Sequence, residues 1–133
     1  MLKLTLVTPT KRLLTDAEVE EVIIPAFRGQ LNILPGHAPL VTVLTAGVMK
    51  VRMKGSTEFK SAAISWGYCE VTPSGISVLA DTAEWPEEVD KSRAEEALKV
   101  AQMRLEQAGL SPAEQEQTLK KVAKERARLD ALN

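Results

Sequence analysis

Aromatic side chains make up only 4% of these 133 residues, and there is one cysteine and one histidine. A lone Cys69 cannot close an internal disulfide, so a reducing compartment is the expectation. One histidine and one distant cysteine leave no Ser/His/Asp arrangement and no metal-ligand spacing. A Walker-type glycine loop and a convincing carboxylate pair are missing as well. Enzymatic chemistry is therefore not expected. Charge is balanced, with 17 basic against 18 acidic residues, so no single-sign field advertises nucleic acid or an anionic bilayer. No apolar run approaches the roughly 20 residues that span a membrane. The start, Met1-Leu2-Lys3-Leu4, has neither a charged n-region nor a cleavage site, and a secretory signal is not expected. Membrane association is expected only through a partner.

What is present falls into two parts with different periods. Up to Trp85 the apolar residues alternate: Leu2, Leu4, Leu6; Met49, Val51, Met53; Ile76, Val78, Ala80. Side chains alternate across a strand, so this pattern buries one face and wets the other. Turn signals recur at Thr8-Pro9, Arg28-Gly29, Pro35-Gly36, Gly55-Ser56 and Ser74-Gly75, which points to many short strands in a sandwich or barrel. After Pro86 the period becomes helical. Ala94, Leu98, Ala101, Leu105 and Ala108 share one stripe, with Gly109 as the expected C-terminal cap. Ser111-Pro112-Ala113-Glu114 predicts a second helix start with a capping box. Leu119, Val122, Arg126, Leu129 and Leu132 predict its stripe. Two helices joined by Gly109-Leu110-Ser111 must form an antiparallel hairpin. Its facing alanines offer little burial, at about 0.8 kcal/mol per CH₂, so a hairpin that can open is expected. Such alanine-rich, mixed-charge helices bind bilayers poorly, which favours a protein partner.

The segment Gly29-Gln30-Leu31-Asn32-Ile33-Leu34-Pro35-Gly36-His37-Ala38-Pro39-Leu40 closely resembles the G-x-L-x-I-L-P-G-H-x-P-L signature of epsilon subunits of F-type ATP synthases. Its glycines and prolines fix unusual dihedrals within a short span, so the match is specific. Flanking segments agree in order along the chain: Val7-Thr8-Pro9, Gly67-Tyr68-Cys69-Glu70-Val71, Val78-Leu79-Ala80-Asp81-Thr82-Ala83, and Val89-Asp90-Lys91-Ser92-Arg93-Ala94. Trp66 departs from the pattern, standing where the family often has a second glycine before Gly67.

The resemblance implies a ten-stranded β-sandwich over residues 1–85 and a regulatory helix-turn-helix over residues 86–133. It implies a non-catalytic place in the central stalk, on the cytoplasmic face of a bacterial inner membrane, peripheral and held there by the complex. The sandwich would grip the gamma subunit and rest on the ring of c subunits. An extended hairpin would meet the catalytic alpha and beta subunits and block ATP hydrolysis. By the same analogy the loop from Arg28 through Leu31 and His37 to Leu40 is a candidate contact surface. The cationic run Lys120, Lys121, Lys124, Arg126 and Arg128 would face an acidic segment of the head, or else form a solvated helix face.

In some bacterial relatives the Asp90/Arg93 motif helps bind ATP as a regulatory ligand and holds the hairpin folded. Glu84, Asp90, Arg93 and Lys121 are the matching candidates here. Without a ligand, Asp90 and Arg93 would read as a helix N-terminal carboxylate with an i,i+3 ion pair. Val100 stands where ATP-binding members carry a further arginine, with Lys99 beside it, and Lys120, Lys121 and Lys124 replace an arginine pair. Fewer forked donors weaken phosphate recognition. A nucleotide-sensing module is the competing reading.

Overall fold

A computed structural model describes residues 2–133. Among them run seven strands and then two helices: β1 (Leu2–Val7), β2 (Arg12–Ala26), β3 (Gly29–Ile33), β4 (Leu40–Leu44), β5 (Gly47–Met53), β6 (Phe59–Thr72), β7 (Gly75–Glu84), a 3-10 turn at Pro86–Glu88, α1 (Lys91–Leu105) and α2 (Pro112–Asp130). The expected sandwich and hairpin are both there. Seven strands replace the expected ten because β2 and β6, of 15 and 14 residues, run unbroken through bends and serve different neighbours at each end.

The pairing closes on itself. β1 lies antiparallel to β2 and parallel to β7, and β7, β6, β5 and β2 follow in turn. A closed ring leaves no open edge on these strands. Inside it Leu4, Leu6, Ile24, Ile33, Leu44, Met49 and Ile64 are fully buried. These are the inward positions of the period-two pattern, and they carry the apolar burial that stabilises the sandwich.

The bend of β6 decides where the rest of the molecule sits. Phe59–Ile64 pair with β5, whereas Gly67–Val71 pair with β4. Between them Trp66 has φ 43 and Gly67 φ 136. A Cβ on Gly67 would lie 1.9 Å from the Leu79 carbonyl oxygen, so only glycine fits. Trp66 occupies the left-handed region with a bulky side chain, which costs about 1 kcal/mol or more relative to glycine. β2 bends in a similar way at Asp16, φ 46, whose N–H donates to Thr5 Oγ1 at 3.1 Å beside a register shift against β1.

The hairpin starts and ends on named caps. Asp90 Oδ1 accepts from the Arg93 N–H at 3.1 Å, and Ser111 and Glu114 form the expected capping box. Gly109 does not cap α1. That helix stops at Leu105, and Gly109, φ 88, closes the turn that follows, so Ala108 falls outside the helix and is exposed. The second stripe is also displaced. Thr118, Val122 and Glu125 are buried, whereas Leu119 is 52% exposed and Arg126 is on the surface. The reason is that α2 is packed on two sides: by α1, and by β5 and β6 of the sandwich. Its buried arc is wider than, and rotated from, the one that a helix pair alone would need.

Candidate functional site

Two surfaces stand out, one at each end of β6. The first lies where the hairpin covers the sheet. Val48, Ala63 and Glu84 form one cross-strand row on β5, β6 and β7. Ala63 is buried although it lies outside the sandwich core, because α2 lies over this face. The Pro86–Glu88 turn forms a neck that joins sheet and helices. Between this neck and the hairpin is a cavity of about 380 Å³, lined by the carboxylates of Glu84, Glu88, Asp90 and Glu125 and the cations of Arg93, Lys121 and Arg128. The four ATP-contact candidates of the sequence, Glu84, Asp90, Arg93 and Lys121, therefore converge on one cavity.

The groups there are largely occupied with each other. Arg128 Nε donates to Glu84 Oε1 at 2.6 Å, and its NH1 donates to Glu125 Oε1 at 2.5 Å. Burial alone would lower the proton affinity of this guanidinium. The hydrogen bond and charge of Glu84, with those of Glu125, reverse that, and its pKa stands above the ordinary arginine value. Glu125 is only 3% exposed, and its Oε2 has no hydrogen-bond partner. Glu88 accepts from Lys11 Nζ at 2.7 Å and from the Trp85 N–H at 3.0 Å, which together hold its pKa below the usual carboxylate value. Asp90 is engaged as the N-cap, through the Arg93 backbone rather than the side-chain ion pair expected from the sequence.

The second surface is bare. The Phe27 N–H donates to the Val43 carbonyl at 2.9 Å, Val43 pairs with Tyr68, Tyr68 with Leu79, and Leu79 with Val7. Phe27, Val43, Tyr68 and Leu79 are 73, 60, 49 and 43% exposed, and so form an apolar band across the sheet exterior. A groove of about 430 Å³ beside it is lined by Phe27, Arg28, Val41, Thr42 and Val43. The alternation rule contained this signal: Val41, Val43 and Leu79 are apolar at outward positions, where a solvated sheet face carries polar residues.

Of the loop candidates, Arg28 is exposed beside this groove, but Leu31 and Leu40 pack partly against the core. His37 is half-buried in a Pro35-Gly36 turn. Its N–H donates to the Leu34 carbonyl at 3.1 Å and its Nδ1 to the Ala38 carbonyl at 2.7 Å, with Gly36 at φ 85. The cationic run of α2 is not one face. Lys120 lies 5.5 Å from the Trp66 ring, and Lys121 and Arg128 line the cavity. Arg126 lies beside Ala46 and Gly47, and Lys124 is half-buried. At 3.6 residues per turn, five cations within nine positions must spread around the helix. The sequence reading did not single out Glu125 as part of a site, although its i,i+3 spacing to Arg128 and its place on the Val122 stripe were visible. Cys69 is buried, and burial first, then the Glu70 charge, pushes its thiol up to about 12, which leaves it protonated and inert. Among the described residues no cluster of His, Cys, Asp or Glu could hold a metal, and no helix is long and apolar enough to cross a membrane.

Comparison with known proteins agrees with this architecture in two steps. Residues 1–86 match the family described as ATP synthase, Delta/Epsilon chain, beta-sandwich domain, which covers the strand-built part. Curated relatives extend the match into the helices. The ATP synthase epsilon chain of Bdellovibrio bacteriovorus is 52% identical over 78% of this chain and 74% of its own length. That of Geobacter metallireducens is 40% identical over 95% and 88%. The chain belongs to the ATP synthase epsilon chain family. The same fold occurs in a chain of the Euglena gracilis mitochondrial ATP synthase, solved with OSCP, F1 and c-ring. The TM-score is 0.86 at 22% identity, covering 99% of this chain and 81% of that one. It occurs again in the central stalk and c-ring structure of the Tetrahymena thermophila mitochondrial enzyme, with a TM-score of 0.66 at 16% identity, covering 99% and 96%.

Proposed function

We propose that this chain is a non-catalytic central-stalk subunit of a bacterial F-type ATP synthase, which couples ion translocation to ATP synthesis. Its sandwich, residues 1–85, grips the gamma subunit and rests on the c-ring. Its hairpin, residues 86–133, is a movable brake that restrains ATP hydrolysis when it extends between the alpha and beta subunits. The complex holds it peripherally at the cytoplasmic face of the inner membrane. The observation that carries this reading is the bare band Phe27–Val43–Tyr68–Leu79 on an otherwise closed and rigid block. Torque transfer requires a stiff body with a fixed grip, and large aromatic and aliphatic side chains exposed in a row supply one. The hairpin has the opposite character, and the cations Lys120, Lys121, Lys124 and Arg126, spread around α2, give it charge to meet an acidic partner once extended.

The test is co-purification with the gamma subunit, followed by ATP hydrolysis in the reconstituted head. Phe27→Ser together with Val43→Ser is expected to abolish co-purification, and truncation after Leu110 to raise hydrolysis. A truncated chain that leaves hydrolysis unchanged removes the brake from the proposal. Intact gamma binding by the double variant removes the grip.

A second reading, a nucleotide sensor, draws support from the convergence of Glu84, Asp90, Arg93 and Lys121 on the cavity beneath the hairpin. Against it stand the carboxylates of that lining and the absence of a forked donor at Val100. Calorimetric titration of the isolated chain with ATP separates the readings. Tight binding without gamma association favours the sensor.

A further inference from the structure

We infer that the chain latches its own hairpin: Arg128 on α2, clamped between Glu84 at the end of β7 and Glu125 one turn back on α2, closes the hairpin onto the sandwich without any nucleotide. The clamp joins the two halves directly, since Glu84 belongs to the sheet and Arg128 to the helix. Arg128 is about one-quarter exposed at the side chain, Glu84 about one-fifth, and Glu125 4%, so the bonds are made largely out of water. Removing one partner of a pair in that setting leaves a largely buried charge without compensation, which costs more than breaking an exposed surface pair.

The clamp also uses the guanidinium that an anionic ligand would need. Two carboxylates already hold Arg128. Of the other cations at the cavity, Arg93 and Lys121 are both exposed. A triphosphate seated there would face four carboxylates with two uncommitted cations, an unfavourable balance for a ligand of several negative charges. The four candidate positions converge, but the charges between them are already satisfied within the protein.

The latch is closed yet lightly loaded. Glu125 Oε2 is buried and accepts nothing, which costs free energy that solvent would return on opening. Glu125 and Arg128 sit on the same helix and leave Glu84 together, so their mutual bond survives release. Among the described residues, opening breaks one ion pair between hairpin and sheet, uncovers the small apolar contacts of α2 with β5 and β6, and rehydrates one buried oxygen. A second, weaker fastener is Lys120, 5.5 Å from the Trp66 ring.

The inference rests on the hairpin being a movable arm. Hydrogen exchange read by mass spectrometry on the full chain tests it. Arg128→Met is expected to speed exchange across α1 and α2 by at least about tenfold while β6 and β7 stay protected. ATP at millimolar concentration is expected to leave the wild-type hairpin unchanged. Unaltered hairpin exchange in Arg128→Met, or ATP-induced protection of the wild-type hairpin, overturns the latch. If Arg128→Met also loosens the strands, Glu84→Gln decides: faster hairpin exchange over protected strands supports the latch, and unchanged exchange overturns it. An unlatched chain that leaves head hydrolysis unchanged overturns the brake and not the latch, so the two failures are distinguishable.

Discussion

The sandwich and the hairpin are built from different materials. The sandwich core is largely Leu, Ile, Val and Met at essentially zero exposure, enclosed by a ring of strands that each pair with a neighbour on both sides. The hairpin buries Ala94, Ala101, Val122, Ala127 and Ala131, together with Thr118 and a carboxylate, Glu125. Each alanine offers a single methyl, and Glu125 adds a desolvation cost. One half is therefore held by area and the other by a few directional contacts. The proposed role, a stalk subunit with a brake, calls for this contrast, since torque demands stiffness and a switch demands a small free-energy gap.

The largest effect that would break the contrast is Gly67→Ala. Its Cβ would meet the Leu79 carbonyl at 1.9 Å with φ at 136, and a loss of about 3–5 kcal/mol is expected in equilibrium unfolding. Leu4→Ala, a truncation at zero exposure, should cost the sandwich about 2–5 kcal/mol in the same assay. The matching truncation in the hairpin, Val122→Ala, should cost only roughly 1–2 kcal/mol. Its exchange should quicken in α1 and α2 and not in β6. Equally quickened exchange in β6 on Val122→Ala would mean the two regions fold as one unit. Phe27→Ser, at a 73% exposed site, should change stability by less than about 0.5 kcal/mol but weaken gamma binding at least about tenfold. The smallest effect is with acid. The Glu88 pKa is lowered chiefly by Lys11, and that of Glu114 by the Ser111 side chain, so both favour the folded form above the unperturbed 4.5. Their contribution is complete above that value and is lost as pH falls through the lower folded pKa values. Exchange below pH 4.5 should therefore loosen the neck and the α1–α2 corner before the strands.

The two ends of β6 repeat the contrast on a smaller scale. One outer face carries Ala63 and is covered by α2; the other carries Tyr68 and is bare. Trp66 and Gly67 separate them, and the Trp66 ring reaches the hairpin at Lys120. Lys120→Gln tests how far that contact matters. Its expected cost is at most about 1 kcal/mol, the range for exposed cation–π pairs.

Much of this was legible in the linear chain. Alternation marked Leu2, Leu4, Leu6, Met49, Val51, Ile76 and Val78 as inward, because a strand has only two faces and solvent selects one. Ser111-Pro112-Ala113-Glu114 marked the start of α2, because a capping box is made within four residues. The convergence of Glu84, Asp90, Arg93 and Lys121 was reached through family likeness, and the fold does bring them to one cavity. Local rules could not place what depends on a second surface. The α2 stripe ran through Glu125 rather than Arg126 because burial of that helix depends on β5 and β6, strands far earlier in the chain, and α1 ended at Leu105, short of Gly109. The clamp of Arg128 and the uncovered band from Phe27 to Leu79 were decided by tertiary pairing alone. Both join residues far apart in the chain, and no local period or cap records which distant atoms will share the same exclusion of water.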